Sequence, residues 1–310
     1  MSGEARAMAS KRPAVTGFYH QDTSSIAYVV ADPVTGRCAI IDPVLDFDRA
    51  YRSTHTAFAD RMVTFVREQG MVVDWILDTH PHADHFSAAA YLKDVFGAPT
   101  GIGEHVKRVQ DIWRRIYHLP DLPADGSQWD RLFKDGDRFQ IGHLEAEVFF
   151  SPGHTAASVT YVVCDAAFVH DTLFMPDGGT ARTDFPGGDT HALYHSIQRI
   201  LTLPPETRVY TGHDYQPGGR EPRWESTVAE QVTHNVHLRG GVTEEAFVQM
   251  REARDRTLAF PALLLDALQI NLRGGRMPEP EANGISYLKI PLNQFRSTVC
   301  AATHTVQDKL

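Results

Sequence analysis

The sequence predicts an α/β protein whose main domain carries histidine-rich motifs at the ends of its strands. Three observations lead there. Short apolar runs of strand length alternate with segments of helical periodicity. The first helical segments close on glycine, a common helix stop. Histidine and aspartate recur where the apolar runs end: "THPHADH" directly after "VVDWIL", then "SPGHT", "FVHDTLF" and "TGHDY".

Taken in order, the opening "MSGEARAMASKRP" is polar and mixed in charge, so residues 1–16 are expected to form a disordered tail. "SIAYVVADPVTGRCAIIDPV" reads as two strands joined by a Gly-containing turn, and "TAFADRMVTFVREQG" as a helix ending at Gly70. "VVDWILDTH" is a short, buried-type strand running into the first motif, and "FSAAAYLKDVFG" has helical spacing closed by Gly97. "RFQIGHLEAEVFFSPGH" has the pattern of a second hairpin; "SVTYVVCD" and "AAFVHDTLF" are further strands. "THALYHSIQRILTL" is a helix and "RVYTGHDY" a strand. The segment 222–260 reads as helical, whereas "LLLDALQINLRGGRMPEPEANG" reads as loop-like because of its Gly and Pro content. The expected organisation is one main domain, 17–260, with a C-terminal extension, 261–310, packed on it.

Composition narrows the function classes. The chain has 310 residues, 42% hydrophobic and 22% charged, enough for a sizeable core. No apolar run is long enough to span a bilayer, and the N-terminus lacks the apolar stretch of a secretory signal, so no membrane partner is expected. An organelle-targeting signal is the lesser alternative. The cysteines, Cys38, Cys164 and Cys300, are odd in number and scattered, which argues against a disulfide framework and for a reducing, cytoplasmic setting. Cys38 and Cys164 lie in strand-like runs and read as core or strand residues. With a net charge of −9 and no Lys/Arg-rich run, an extended nucleic-acid groove is not expected.

The strand-end motifs carry the chemistry. Strands ending on one edge of a sheet would bring His80, His82, Asp84, His85, His154, Asp171 and His213 together. Imidazole and carboxylate are ligands for zinc, iron, manganese and nickel. Any one of these histidines alone is ordinary; the whole series at successive strand ends reads as a metal site. His20, His55, His105, His118, His143, His191, His195, His234 and His304 lack that setting. His170, beside Asp171, reads as a supporting residue and not a ligand.

"THPHADH…SPGHT…HDTLF…TGHDY" resembles the metallo-β-lactamase superfamily across most of the chain. The resemblance implies an αββα sandwich: two mixed sheets face to face, helices outside, metal at one edge. Glyoxalase II shares these motifs. In the superfamily's hydrolases, His80, His82 and His154 would hold one zinc ion and Asp84, His85 and His213 a second, with Asp171 bridging. The stretches "VLDFD", "LPADGSQWDRLF", "ARTDFPGGD", "TGHDYQPGG", "ESTVAEQ", "QINLRGG" and "EPEANG" resemble the persulfide dioxygenases, particularly the bacterial β-lactamase-hydrolase-like sulfur dioxygenases. That resemblance implies a single Fe(II) on His80, His154 and Asp171, with His82, Asp84, His85 and His213 around it. It also implies oxidation of glutathione persulfide by O₂ to sulfite and glutathione, in sulfide detoxification. The alternative is a thioester hydrolase of the glyoxalase II type.

Glutathione carries two carboxylates and this chain is acidic, so binding calls for local cations. Arg182, Arg273 and Arg276 are the candidates, since a guanidinium pairs with a carboxylate in bidentate fashion. By resemblance, Arg182 and Tyr215 match positions lining the family's site, and Tyr215 with His213 is expected to take part in catalysis. The alternative for Arg182 is an ion pair with Asp184 or Asp177; for Arg273 and Arg276 it is solvent exposure. Asp214 reads as a structural acceptor. Two departures stand out. Shorter family members often read "NPR" where this chain has Asn235, Val236 and His237. An insertion covers about 106–133, with "DIWRRIYHLPDL" helical at its start, and could shape the pocket or form an oligomer contact. Its aromatics Trp113, Tyr117 and Trp129 read as packing residues. A homo-oligomer is expected from the resemblance alone.

Overall fold

The computed structural model describes residues 12–295. Most of the predicted tail therefore lies outside the described residues, as do 296–310 with Cys300 and His304. Where the tail is described it departs from the expectation: the first strand, β1 (Ala14–His20), already begins at Ala14.

Two six-stranded sheets pack face to face. The first has the order β1, β2 (Ser25–Ala31), β3 (Arg37–Ile41), β6 (Val72–Leu77), β8 (Thr100–Gly103), β9 (Arg131–Phe133). The second runs β10 (Arg138–Ile141), β11 (Leu144–Phe150), β12 (Val159–Val163), β13 (Ala166–His170), β14 (Arg208–Thr211), β15 (Glu225–Thr227). Both are mixed: β3, β6, β8 and β9 pair in parallel, as do β13 and β14, while the remaining neighbours are antiparallel. A small sheet of β5 (Ser53–His55), β4 (Val44–Asp48) and β7 (Phe86–Ser87) lies beside them.

The two-residue period of a strand explains the layers. Ile26, Tyr28 and Val30 of β2 face the second sheet and meet Phe139, Ile141, Val148, Tyr161 and Phe168 in the central core. The alternate residues Ala27, Val29 and Ala31 face outward, onto α1 (Ala57–Glu68) and α2 (Ala89–Phe96). On the other side, Ala167, Val169 and Val209 pack against α4 (Thr190–Ile200), α5 (Val228–His234) and α6 (Glu244–Asp255). Each fully buried Leu, Ile or Phe in these layers contributes about 1.5–3 kcal/mol. This is the αββα arrangement expected above, and among the described residues no helix is long and apolar enough to cross a membrane.

Four local expectations are corrected, the first being that 222–260 is helical: it opens with β15, paired to β14, and only 228–234 and 244–255 are helix. "LLLDALQIN" is not loop but helix, α7 (Leu264–Asn271), because Leu264 and Leu268 pack against the insertion while Ala267 and Ile270 pack on the core beside the first sheet. Phe86 and Ser87 leave the helix that begins at Ala89 and instead pair with β4. Cys164 sits in the turn after β12 with a positive φ of 52° and is exposed, whereas Cys38 is buried in β3. The insertion folds as α3 (Val106–Ile116) and a connection to β9, with Trp113, Tyr117 and Trp129 buried against α7.

Candidate metal centre

The site forms where the two sheets are stitched together. Ile26 N–H donates to Gly212 O at 2.8 Å and Ser25 bridges His213, joining the first sheet to the end of β14. Val159 N–H donates to Thr79 O at 3.0 Å, joining the second sheet to the end of β6. His80, His82 and His85 follow β6, His154 lies between β11 and β12, Asp171 follows β13 and His213 follows β14. All seven motif residues converge there, and every one is buried except the partly exposed Asp84.

The Gly-His pairs have a steric reason. A Cβ on Gly212 would lie 2.9 Å from Asp171 Oδ1 and 3.1 Å from the His170 backbone. One on Gly153, whose φ is +141°, would sit 2.4 Å from Leu193 Cα of α4. Only glycine lets these loops approach so closely. Asp189, the N-cap of α4, then ties the loop down by donating its N–H to Gly153 O at 2.8 Å.

Three groups of ligand atoms lie within 4.8 Å of one another: His80, His154, Asp171; His82, Asp84, His85; and Asp84, Asp171, His213. His80 Nε2 and His154 Nε2 are 3.9 and 3.5 Å from Asp171 Oδ2, and His213 Nε2 is 3.4 Å from both Asp84 Oδ2 and Asp171 Oδ1. Ligand atoms about 2.0–2.2 Å from one ion lie roughly 3–3.5 Å from each other, so the spacing suits a shared cation. Hydrogen bonds set the tautomers. His154 Nδ1 donates to Arg182 O at 2.9 Å, leaving the Nε2 lone pair facing Asp171. Thr79 Oγ1 spends its proton on Asp42 Oδ2 at 2.8 Å, so it accepts from His80 Nδ1 at 3.1 Å and again frees Nε2. His80 Nε2, His82 Nδ1, His85 Nδ1, Asp171 Oδ1 and His213 Nδ1 are buried without a hydrogen-bond partner among the described residues. Buried polar atoms without partners are costly, and a cation would satisfy those turned to the centre. The residues fit a metal ion.

The electrostatics agree with a set poised for a cation. Burial, followed by the neighbouring imidazoles, pushes His80 well below the ordinary histidine value, and burial also lowers His154. Both imidazoles are therefore neutral, the form in which histidine can bind a metal. Burial alone would raise Asp171, but the nearby charge of His213 outweighs it and keeps the carboxylate ionised. Burial would lower His82, but Asp42, with Oδ1 3.0 Å from Nε2, lifts it to about 9.

A cavity of about 440 Å³ opens onto the cluster, lined by Asp84, His154, Asp171, Phe174, Phe185 and Tyr215 among others. Tyr215 is 61% exposed, and its ring lies parallel to His213 with centroids 5.4 Å apart. Arg182 lines the cavity too, yet its Nε and Nη2 hold both oxygens of Asp184 at 2.6 and 2.7 Å, the alternative weighed from the sequence. Arg273 and Arg276 are not on this cavity. They line a separate one of about 600 Å³ beside the insertion, and Arg276 reaches Asp94 at 3.4 Å. Asp214 is buried and accepts both Arg220 Nη atoms, as expected of a structural acceptor.

Several positions escaped the sequence reading. Asp42 accepts the Thr79 N–H at 2.7 Å, anchoring the first motif; its only signal was an aspartate ending the apolar "CAII" run. Ser25 Oγ donates to Asp84 Oδ2 at 3.0 Å, and His20, assigned no role, backs it through Thr23 at 2.8 and 2.7 Å. Asn271 of α7 donates to the carbonyls of His82 and His85. His237, in place of "PR", accepts from Thr180 N–H at 3.0 Å and so holds the cavity loop.

The family model described as the metallo-beta-lactamase superfamily matches residues 22–213. The chain is 63% identical over 285 residues to a "Beta-lactamase hydrolase-like protein" of Xylella fastidiosa, covering 92% of this chain and 66% of that one. It thus spans about two thirds of the length of that relative. It is 44% identical to "Glyoxylase B2" of Dictyostelium discoideum, over 93% of this chain and 99% of that one. It is 30% identical to human "Persulfide dioxygenase ETHE1, mitochondrial", over 81% and 84%. Among solved structures, ETHE1 from Myxococcus xanthus superposes with a TM-score of 0.69 at 28% identity, covering 85% of this chain and all of that one. With the sandwich, the strand-end cluster and this match in agreement, the chain belongs to the metallo-β-lactamase superfamily.

Proposed function

We propose that this protein is a non-haem iron persulfide dioxygenase, converting glutathione persulfide, O₂ and water to glutathione, sulfite and two protons. The observation that carries the reading is the buried group His80, His154 and Asp171: two imidazoles with outward lone pairs and one ionised carboxylate. That donor set is the 2-His-1-carboxylate triad of iron(II) oxygenases. Iron held there supplies the one-electron steps that reaction with O₂ requires and zinc does not offer.

The chain's own residues do the rest. Phe174, Phe185 and Leu258 give the cavity apolar walls that exclude water and hold the carrier body. Asp84 is committed to the Ser25 hydroxyl, and the Asp42 carboxylate faces His82, so both are held by the protein itself. Tyr215 lines the cavity and stacks on the buried His213, so the tyrosine hydroxyl can donate to a bound substrate. The cytoplasm is the compartment this reading favours.

The second reading is a thioester hydrolase with a zinc pair, which the convergence of Asp84, Asp171 and His213 within one ligand group favours. One experiment separates them. Iron-loaded protein is mixed with glutathione persulfide while O₂ and sulfite are followed together. Rapid uptake with matching sulfite is expected. No uptake, with iron confirmed in the sample, overturns the dioxygenase and turns the assay to S-lactoylglutathione hydrolysis.

A further inference from the structure

Three guanidinium groups line the cavity at the cluster: Arg182, Arg251 and Arg254. Two of them are spent. Arg182 is bidentate on Asp184, with Nη1 on Ala259 O at 2.9 Å. Arg251 is almost wholly buried; its Nε and Nη2 hold Asp255 Oδ1 at 2.9 and 2.6 Å, and its Nη1 donates to Thr180 O at 2.9 Å. Arg254, one helical step further along α6, is exposed, and its guanidinium has no hydrogen-bond or ion-pair partner among the described residues. Its charge reaches Arg251 and His237, both cationic or protonatable, and disfavours their protonated forms. An unpaired cation beside another cation, in a chain of net charge −9, is the reverse of what folding stability asks for. An anionic ligand would relieve it.

We propose that Arg254 is the carboxylate-recognising residue of this cavity, and that the substrates are persulfides whose carrier bears a carboxylate at the end remote from the sulfur. This rests on the persulfide reading for the chemistry at the cluster, but the binding argument is independent of it. Arg251 is the anchor that makes the subsite rigid: its bond to Thr180 clamps α6 to the cavity loop, so Arg254 projects from a fixed helix. Phe174, Phe185 and Leu258 line the same cavity and offer apolar surface for the carrier's uncharged middle.

The test compares glutathione persulfide with the persulfide of glutathione diethyl ester, whose carboxylates are capped. The iron-loaded full chain is used as wild type, Arg254→Gln and Arg254→Lys. The wild type is expected to prefer the free acid in kcat/KM by about tenfold, the size of one charge-assisted pair. That preference should vanish in Arg254→Gln, mainly through KM, and be partly kept in Arg254→Lys. Calorimetric titration with glutathione itself supplies a readout without turnover, with Kd rising about tenfold in Arg254→Gln. An unchanged preference and an unchanged Kd in Arg254→Gln overturn the assignment. If the wild type oxidises neither persulfide, the dioxygenase reading fails, and the titration alone decides Arg254: weakened glutathione binding in the variant upholds it, equal or absent binding in both proteins sinks it.

Discussion

Asn271 Nδ2 donates to His85 O at 2.7 Å across 186 positions of sequence. The same amide donates to His82 O at 2.7 Å, and its Oδ1 accepts the Ser87 N–H at 2.8 Å. One side chain from α7, the last helix among the described residues, therefore closes the loop that carries three of the cluster's histidines. Backbone groups buried in such a loop need partners from somewhere, and here the partner comes from the C-terminal extension.

Asn271→Ala should cost about 2–4 kcal/mol, since it strands two carbonyls and one N–H in the interior. Urea unfolding monitored by fluorescence measures this, and metal content after dialysis reports on the loop. A loss below about 0.5 kcal/mol with full metal retention would mean that α7 merely covers the loop.

The one-ion reading predicts unequal roles for residues that look alike. His154→Ala and Asp171→Ala should each lose the iron, because each removes one of three ligands. His213→Ala should keep close to one iron per chain. Elemental analysis of purified proteins decides it. Equal loss in His213→Ala would show that this imidazole is a ligand and would favour the paired site.

Acid should weaken the fold through His237. Burial first, and then the charges of Arg251 and Arg254, push it down to about 4. In the unfolded chain it would titrate near the ordinary value, about 6.5. Between these values the unfolded state binds more protons, so stability is full above about pH 6.5 and falls as pH drops towards 4. The loss of Tm between pH 7.5 and pH 5 should therefore be smaller in His237→Gln than in the wild type, the difference isolating this group from other histidines. Equal losses would place the acid sensitivity elsewhere.

By itself the sequence determined the alternation of strands and helices and the seven residues of the strand-end cluster, while its resemblance to the superfamily implied the sandwich. Continuous apolar runs of strand length must be buried on both faces, and motifs at the ends of such runs can share an edge. Local pattern carries that information because it depends on neighbours in the chain. It also held α7, in the i, i+3, i+4 spacing of Leu264, Ala267 and Leu268, although the Gly and Pro that follow Arg273 made the region look like loop. What only the tertiary structure decided are the pairings between distant segments. Asp42 holds Thr79 across 37 positions, Ser25 holds Asp84 across 59, and Asn271 holds His85 across 186. The arginines show the same limit most clearly. Arg182, Arg251 and Arg254 are the same residue type, and nothing local distinguishes the two whose charge is consumed from the one left facing the cavity. A cation's availability is set by which carboxylate lies within about 3 Å, and that is a property of packing and not of sequence order.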